Sequence, residues 1–290
     1  MAKARPILKR RKAVESIHKI TRTMQLIATA RYQGTYRRVV GARPFTEGIL
    51  GLTGQLAADA EIEHPLLRTN TESKHSVLII LTSNRGLCGG YNGAVLRSAM
   101  PHIREREQAG DTIDLHVSGK KGIGYFRFLR RPMGTTHTVF DDKPRFAEVE
   151  PIAQAMIDAY ERRHVDSVYI TYTRFESVSR QVPETIRLLP MEPPRAAAGD
   201  KTQRVHLFEF SPPAPELLGR LLQQAVKVRL FQCFIDAAVS EQMARMAAMK
   251  AATDAAATMI KSLTQQYNRA RQSQITLELL DIVGGADALK

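Results

Sequence analysis

The sequence of 290 residues has no tryptophan and only two cysteines, Cys88 and Cys233, which lie far apart. They form neither a C-x-x-C pair nor a disulfide framework, so we expect a reducing compartment. The eight histidines lack the i, i+4 spacing of a zinc-binding helix. These absences exclude the common cysteine and histidine metal sites, and we expect no bound metal and no cofactor.

Long apolar runs are also absent. The longest, such as Val77 to Leu81, are much shorter than the roughly 20 residues that span a bilayer. The basic N-terminus has no apolar stretch followed by a small-residue cleavage site, as a secretory signal would. We therefore expect no membrane span, and we interpret the basic start as an uncleaved part of the structure.

Basic charge is present and lies mostly at one end of the chain. The formal net charge is +13. Residues 1–38 contain eleven Lys or Arg and one acid, hence +10, whereas residues 216–290 contain nine bases and seven acids, hence +2. Such a segment binds an acidic partner, which can be nucleic acid, anionic lipid or an acidic protein surface. A solvated basic face explains this segment equally well.

Both ends of the chain predict long helices. There is no proline from Lys9 to about Val40, and a coiled-coil seam with alternating steps of four and three is predicted there. Its members are Ala13, Ile17, Ile20, Met24 and Ile27. Between Pro215 and Gly284 there is again no proline, which allows a helix about 100 Å long at 1.5 Å per residue. A second seam is predicted at Met246, Met249, Thr253, Ala256, Ile260, Leu263, Tyr267 and Ala270.

The middle of the chain alternates short apolar runs with helical stretches, which is typical of an α/β domain with a largely parallel sheet. Strands are predicted at Val77–Leu81, Ile113–Val117, Ser167–Tyr172 and Thr185–Leu189. Helices are predicted at about 92–108, 119–130 and 147–163, and residues 41–73 are predicted to form a helix followed by a loop. A proline-rich linker is predicted at Pro190, Pro193, Pro194, Ala196–Gly199, Pro212, Pro213 and Pro215.

The predicted fold class is therefore α/β: a long antiparallel coiled coil of N- and C-terminal helices with an inserted Rossmann-like α/β domain. We expect a coiled-coil helix in residues 1–60, the inserted domain in 74–210 and the second coiled-coil helix in 213–290.

A glycine-rich turn, Ser83 to Asn92, directly follows the first strand and could cradle phosphate. Its spacing is neither G-x-G-x-x-G nor G-x-x-x-x-G-K-[ST], so we favour a tight turn that presents Arg85 to a partner. The basic turn Gly119 to Gly122 is interpreted in the same way. Cys88 could be a nucleophile, but no base can be assigned to it. The acidic residues near Asp141 are interpreted as a solvated loop. We therefore assign no catalytic residue.

Three hypotheses are open at this point. The first is a non-catalytic protein that binds several partners through its two long, paired terminal helices, which would account for both termini and the middle. The second is an α/β nucleotide-binding enzyme with helical appendages. The third is a nucleic-acid-binding helical protein, with Tyr32 and Tyr36 available for stacking. An anionic membrane surface fits less well, because the apolar stripe is narrower than an interfacial helix needs.

Three separated motifs resemble those of one known family along nearly the whole chain. The first is a basic helix with Lys9-Arg10-Arg11, Lys19-Ile20-Thr21 and Met24. The second, Ser83 to Asn92, matches S-D-[RK]-G-L-C-G-G-[FY]-N with Asn84 in place of the aspartate. The third comprises Ser240-Glu241, Ala244-Arg245-Met246, Ala248-Met249, Tyr267-Asn268, Arg271-Gln272, Ile275-Thr276, Glu278-Leu279 and Ile282-Val283. Together they resemble the gamma family of F-type ATP synthases.

The resemblance implies a central rotor that transmits torque and catalyses nothing by itself. Its terminal helices would turn inside a hexamer of alternating α and β subunits, while the inserted domain would lie against the ε subunit and the ring of c subunits. Rotation would bias each β site in turn towards a different nucleotide affinity. The resemblance also implies no nucleic-acid partner, membrane association through the Fo sector only, and a position on the cytoplasmic face of a bacterial inner membrane.

The resemblance further implies contacts with the α and β subunits. The residues concerned are Met24, Arg85, Arg245, Arg271, Gln272, Ile275, Thr276 and Glu278. Arg271 and Gln272 match positions that hydrogen-bond β-subunit loops, and Arg85 would face an acidic β-subunit lever. The chain departs from the family pattern at Asn84, Gln25, Ala251 and Ala255. The paired cysteines of the light-regulated chloroplast form are absent, so no thiol switch is expected.

Overall fold

The computed structural model describes residues 4–59, 64–68, 74–140, 143–191 and 214–287. Five α-helices and five strands follow one another in these ranges. The helices are α1 (Ala4–Asp59), α2 (Tyr91–Gln108), α3 (Lys120–Phe128), α4 (Phe146–Glu161) and α5 (Ala214–Asp287). The strands are β1 (His75–Leu81), β2 (Thr112–Ser118), β3 (Thr136–His137), β4 (Ser167–Phe175) and β5 (Gln181–Leu189). A short 3-10 helix spans Pro65–Leu67.

The five strands form one sheet in the order β3-β2-β1-β4-β5. β1 pairs in parallel with β2 and β4, and β2 pairs in parallel with β3, whereas β5 runs antiparallel to β4. In β1 the six residues after His75 are buried, as expected for a central strand that is covered on both faces. The order changes direction next to β1, so the turn after β1 lies where the carboxyl ends of parallel strands meet.

Helices cover both faces of this sheet. Leu78 and Ile80 of β1 pack with buried residues of α2 and α3, while Val77 and Ile79 pack with α4 and α5. This alternation follows from the two-residue period of a strand, which sends successive side chains to opposite faces. The resulting cores fix the positions of the turns between strand ends and helix starts.

The described chain divides into two compact units. The first comprises residues 1–29 and 245–290, and the second comprises residues 30–244. In the second unit, the later part of α1 packs on the sheet and on α5 through a cluster that includes Val39, Phe175, Ile235 and Val239. The predicted inserted domain, 74–210, lies within this unit together with segments of α1 and α5.

In the first unit, the start of α1 and the end of α5 run antiparallel to each other. Val14 packs with Ala256 and Leu263, and the hydroxyl groups of Thr21 and Thr253 are in contact. The buried residues of α1 in this unit are Val14, Thr21 and Ala28, one every seven residues. The predicted antiparallel pairing of the termini is therefore confirmed.

The seam predicted for α5 is correct, whereas the seam predicted for α1 is wrong. Met249, Thr253, Ala256 and Leu263 are all buried, and the other predicted members of the α5 seam are half-buried. On α1 the predicted members Ala13, Ile17, Ile20 and Ile27 are exposed, and Met24 is half-buried. The physical reason is that α5 packs against smaller side chains of α1, which allow the helices to approach closely.

The strand and helix predictions in the middle of the chain are confirmed to within a few residues. The sheet is largely parallel, as predicted, with β5 as its one antiparallel strand in the described residues, whereas the two-residue strand β3 was not predicted. Helix α1 ends at Asp59, close to the end of the range 1–60 that was predicted for the N-terminal helix. Most of the predicted proline-rich linker, residues 193–213, lies outside the described residues, as do Asp141 and Asp142 of the predicted acidic loop.

Candidate functional site

The antiparallel helix pair of the first unit is held by a seam of small and polar side chains. The Thr253 and Thr21 hydroxyl oxygens lie 2.9 Å apart, and the Thr21 hydroxyl also donates to the His18 carbonyl at 3.1 Å. Nearer the chain ends, the Arg11 guanidinium lies 5.7 Å from the centre of the Tyr267 ring and forms an ion pair with Glu15. Ile7, Val14 and Leu263 supply the apolar contacts. The seam is narrow, so large parts of both helices face outwards.

The outward face of α1 carries an apolar stripe. The exposed fractions are 52% for Ile17, 58% for Ile20 and 48% for Ile27. Exposed bases surround this stripe, and they are Lys9, Arg10, Lys12, Lys19 and Arg22. Branched apolar side chains that align along a helix and remain exposed mark a surface that binds another molecule. The basic surroundings favour a partner with acidic groups.

The last turns of α5 are exposed all around the helix. The large apolar residues there are between 44% and 69% exposed, and they are Ile275, Leu277, Leu279, Leu280, Ile282 and Val283. Arg271, Gln272, Thr276 and Glu278 are exposed in the same stretch. A helix that is apolar on several faces is usually buried on those faces. This end of α5 therefore has the composition of a segment that another protein encloses.

The glycine-rich turn after β1 binds the amino end of α3. The N–H groups of Lys120, Lys121 and Gly122 donate to the Asn84 side-chain oxygen, the Ser83 carbonyl and the Thr82 hydroxyl, at 3.1, 3.1 and 2.9 Å. These N–H groups are the ones that a phosphate would need. Because the protein itself occupies them, the start of α3 is not a phosphate site.

The close approach of the two turns requires glycine at position 119. Gly119 has φ of +97°, and a Cβ atom there would lie 2.1 Å from the Thr82 carbonyl oxygen. Gly122 is also restricted, because its Cβ would lie 2.7 Å from the Thr82 hydroxyl oxygen. The basic turn predicted at 119–122 therefore serves packing against the first turn.

The same glycine-rich turn presents two side chains to solvent. Arg85 is exposed, and Leu87 is 59% exposed with φ of 63°, a left-handed conformation that is unfavourable for a branched side chain. Exposure of a large apolar side chain in a strained turn is typical of a contact residue. Leu87 was not predicted as a contact residue, although a leucine between a glycine and a cysteine in a turn is a visible signal.

The interior of the turn is a small polar network. The Ser83 N–H donates to the Asn92 side-chain oxygen at 2.9 Å, and the Asn92 side-chain nitrogen lies 3.3 Å from the Cys88 sulfur. Cys88 is buried, with 2% of its surface exposed. Its thiol therefore packs inside the turn and contacts Asn92, rather than facing a substrate.

A polar cavity of about 600 Å³ lies in the second unit, between α1, β4, β5 and α5. Its lining includes Arg43, Tyr172, Glu184, Cys233 and Asp236. Burial raises the pKa of Asp236 to about 6, although a hydrogen bond from Gln232 opposes the shift. Burial also raises the pKa of the Cys233 thiol to about 12 and the pKa of Tyr172 above its usual range. Arginines and acidic residues both line the cavity, so neither sign of charge dominates there.

Within the described ranges, no group of three or more His, Cys, Asp or Glu residues could hold a metal ion. In the same ranges, no helix is long and apolar enough to cross a membrane.

The predicted contact residues lie in three places. Arg271, Gln272, Ile275, Thr276 and Glu278 lie at the end of α5, Arg85 lies in the glycine-rich turn, and Met24 and Arg245 lie on the helix pair. Met24 is half-buried and Arg245 is only 6% exposed, so these two offer little surface to another molecule.

Comparisons with known proteins agree on one family. A family model described as "ATP synthase" matches residues 3–289. The "ATP synthase gamma chain" of Rhodopirellula baltica is 42% identical over 296 residues, covering all of both chains. That of Frankia casuarinae is 40% identical, covering 97% of this chain and 96% of its relative.

A solved structure of similar fold belongs to the Euglena gracilis mitochondrial ATP synthase, described as "OSCP/F1/c-ring, rotational state 3". It has a TM-score of 0.65 and 20% identity, and the match covers 99% of this chain and 94% of that chain. At this identity the likeness shows the fold alone. The full-length sequence matches and the matching fold show that this chain belongs to the family of ATP synthase gamma chains.

Proposed function

We propose that this chain is the central rotor subunit of an F-type ATP synthase, which transmits torque and is not catalytic by itself. The observation that carries the proposal is the exposed end of α5, where Ile275 to Val283 display large apolar groups on several faces. The end of a rotating subunit must be enclosed by an apolar surface of its partners without binding strongly at any one rotation angle. Apolar contact meets this need because it is non-directional.

The proposed partners of the helix pair are the α and β subunits. The contacts are assigned to Met24, Arg85, Arg245, Arg271, Gln272, Ile275, Thr276 and Glu278. Six of these side chains are exposed, which supports their availability, while Met24 and Arg245 have much less accessible surface. The apolar stripe at Ile17, Ile20 and Ile27 is proposed as a further part of this surface, with its basic surroundings directed at acidic groups of the hexamer.

The second unit is proposed to contact the ε subunit and the ring of c subunits. Solved structures of similar fold support this assignment, since one is a mitochondrial ATP synthase rotor and another is a complex of F1 with a c-ring. Through that ring the chain would be held at the cytoplasmic face of a bacterial inner membrane. Rotation of the ring would turn the helix pair and bias each catalytic β site in turn.

Co-expression with the α and β subunits of the same organism tests the proposal. We expect one copy of this chain per three αβ pairs in size-exclusion chromatography, and ATP hydrolysis by the complex. Truncation after Gln274 removes the exposed end of α5. This truncation should lower ATP hydrolysis by the complex several-fold. It should leave the thermal stability of the isolated chain unchanged, because residues 275–285, which it removes, are exposed.

Truncation after Val283 is the matched control, because it keeps the apolar end and removes only seven residues. Its complex should hydrolyse ATP at close to the full-length rate. Failure to form a complex, together with nucleotide hydrolysis by the isolated chain, would instead support the α/β enzyme.

A further inference from the structure

We propose that Asn84 is a positioning residue that ties the glycine-rich turn to α5, so that force applied at Arg85 reaches the long helix directly. This inference rests on the proposed rotor function. Asn84 precedes Arg85 in the chain, and its side chain makes three hydrogen bonds that leave the turn. The structure shows where each of them ends.

The Asn84 amide can adopt only one orientation in this environment. Its side-chain nitrogen donates to the carbonyls of Thr138 and Phe140 at 3.1 and 2.8 Å, and its side-chain oxygen accepts the Lys120 N–H at 3.1 Å. A flipped amide would place its oxygen against two carbonyls. A carboxylate would do the same, since it has no hydrogen to donate. The arrangement therefore favours an amide over an ionised carboxylate.

The segment held by Asn84 leads to α5. Residues 138–140 follow the short strand β3, and Thr138 and Val139 are exposed. The Phe140 ring, in contrast, is half-buried and lies 4.6 Å from the Phe234 ring, centre to centre. Phe234 belongs to α5 and is 4% exposed. The path from the turn to the helix thus has two steps, from the Asn84 amide to the Phe140 backbone and from the Phe140 ring to Phe234.

A second connection reaches the same place on α5. Tyr91 lies near the end of the glycine-rich turn and begins α2, and its hydroxyl donates to the Ala237 carbonyl at 3.2 Å. Phe234 and Ala237 are three residues apart, which is less than one helical turn. The two ends of the glycine-rich turn are therefore fastened to one turn of α5. Two attachments resist rotation of the turn about either one alone.

The first test measures the attachment in the isolated full chain and does not depend on the rotor function. Hydrogen exchange followed by mass spectrometry should show about tenfold faster exchange in peptides covering residues 136–140 in Asn84→Asp and Asn84→Ala. Asp has nearly the size of Asn but cannot donate, and Ala removes all three bonds. Gln108→Glu is the control, because it makes the same amide-to-acid change at an exposed helix end.

The second test measures force transmission in the complete membrane complex. For each variant we would compare ATP hydrolysis with ATP-driven ion pumping, read by a membrane-potential dye. We expect hydrolysis within about twofold of the parent and ion transport per ATP lowered at least twofold in both Asn84 variants. Phe140→Leu keeps the backbone bonds to Asn84 but loses the ring contact, and it should lower the same ratio.

The outcomes separate the two proposals. If the parent chain forms no complex with α and β subunits, the rotor function fails, whatever the exchange data show. If the parent complex pumps ions and the Asn84 variants match Gln108→Glu in both measurements, the positioning role of Asn84 is overturned. Faster exchange at 136–140 with an unchanged pumping ratio also overturns it, because a purely structural bond would give that result.

Discussion

The side-chain oxygens of Thr21 and Thr253 lie 2.9 Å apart across the helix pair. Thr253 can donate to Thr21 or to the Met249 carbonyl of its own helix at 2.8 Å. Thr21 donates to the His18 carbonyl when Thr253 donates to Thr21. When the Thr253 hydroxyl instead donates to the Met249 carbonyl, the Thr21 hydroxyl can donate to Thr253. One hydrogen bond between the helices is kept in either arrangement. Because this bond is buried and directional, it fixes the register of two helices whose other contacts are mostly small and apolar.

Replacement of Thr253 by valine should destabilise the helix pair by about 1 kcal/mol, because valine has the same shape but no hydroxyl. Urea unfolding followed by circular dichroism would measure this change. Thr258→Val is the control, since Thr258 is exposed and bonds only the Asp254 carbonyl of its own helix among the bonds described. Equal effects of the two substitutions would mean that the contact with Thr21 contributes nothing.

Shortening a side chain to alanine should affect the stability of the isolated chain differently on the two faces of α1. Val14→Ala removes a buried methyl pair and should lower the stability of the isolated chain by about 1–2 kcal/mol. Ile20→Ala removes a side chain that is 58% exposed and should leave stability within about 0.5 kcal/mol.

Binding to the α and β subunits should show the reverse order. Ile20→Ala should weaken complex formation at least about tenfold, because burying an isoleucine stabilises by roughly 1.5–3 kcal/mol. Sedimentation or native mass spectrometry at falling protein concentration would measure it. If Val14→Ala weakened the complex more than Ile20→Ala, the exposed stripe would not be an interface.

The wrong seam prediction on α1 has a physical cause. The predicted seam followed the large apolar residues Ile17, Ile20 and Ile27, which form the exposed stripe. The contact within the chain uses Val14, Thr21 and Ala28, whose small size permits close packing but gives a weak apolar signal. On α5 the apolar pattern and the contact coincide, so the predicted seam is the buried one. Periodicity reveals that a face will be buried, but it does not reveal which molecule buries it.

The contacts of the glycine-rich turn could be predicted only in part from the sequence. The spacing argued against a nucleotide loop, and the motif identified Asn84 as a departure from an acid. It could not show that Lys120, Thr138 and Phe140 are the partners of this amide, because they lie 36 to 56 residues away. Strands with clear apolar runs were predictable, whereas β3 has only two residues and carries no such signal.

Gly119→Ala should be strongly destabilising, by about 3 kcal/mol or more, because it combines a left-handed backbone with a clash against the Thr82 carbonyl. Thermal unfolding would measure the loss. Gly124→Ala is the matched control: Gly124 lies inside α3, which begins directly after Gly119, its Cβ would meet open space, and helix propensity should stabilise this variant by about 0.5–1 kcal/mol. Similar melting temperatures for the two variants would contradict the proposed packing of the two turns.

Asp236 should make folding less favourable as the pH rises. Its pKa is about 6 in the folded chain against an ordinary value of 3.8, so the folded form retains its proton more strongly. Stability is therefore lost between about pH 4 and pH 6 and stays lower above that range. The desolvation that raises the pKa outweighs the opposing hydrogen bond from Gln232 and the charges of Arg43 and Arg174.

Asp236→Asn should remove this dependence and raise stability at pH 7.5 by about 1–3 kcal/mol, with little change at pH 4. Urea unfolding at both pH values would measure the difference. The control is Asp158→Asn, because Asp158 accepts the same kind of bond from Gln154 four residues earlier on α4. A larger gain at pH 4 than at pH 7.5 would reverse the sign and reject the assignment.

The burial of both cysteines has a practical consequence for chemical labelling. Cys88 and Cys233 are each 2% exposed, and the pKa of the Cys233 thiol is raised to about 12. Thiol reagents act on accessible thiolates, so the folded chain should resist maleimides at neutral pH. A single cysteine introduced at an exposed position such as Lys261 would then be the preferred attachment point for a dye, and the natural cysteines need not be replaced.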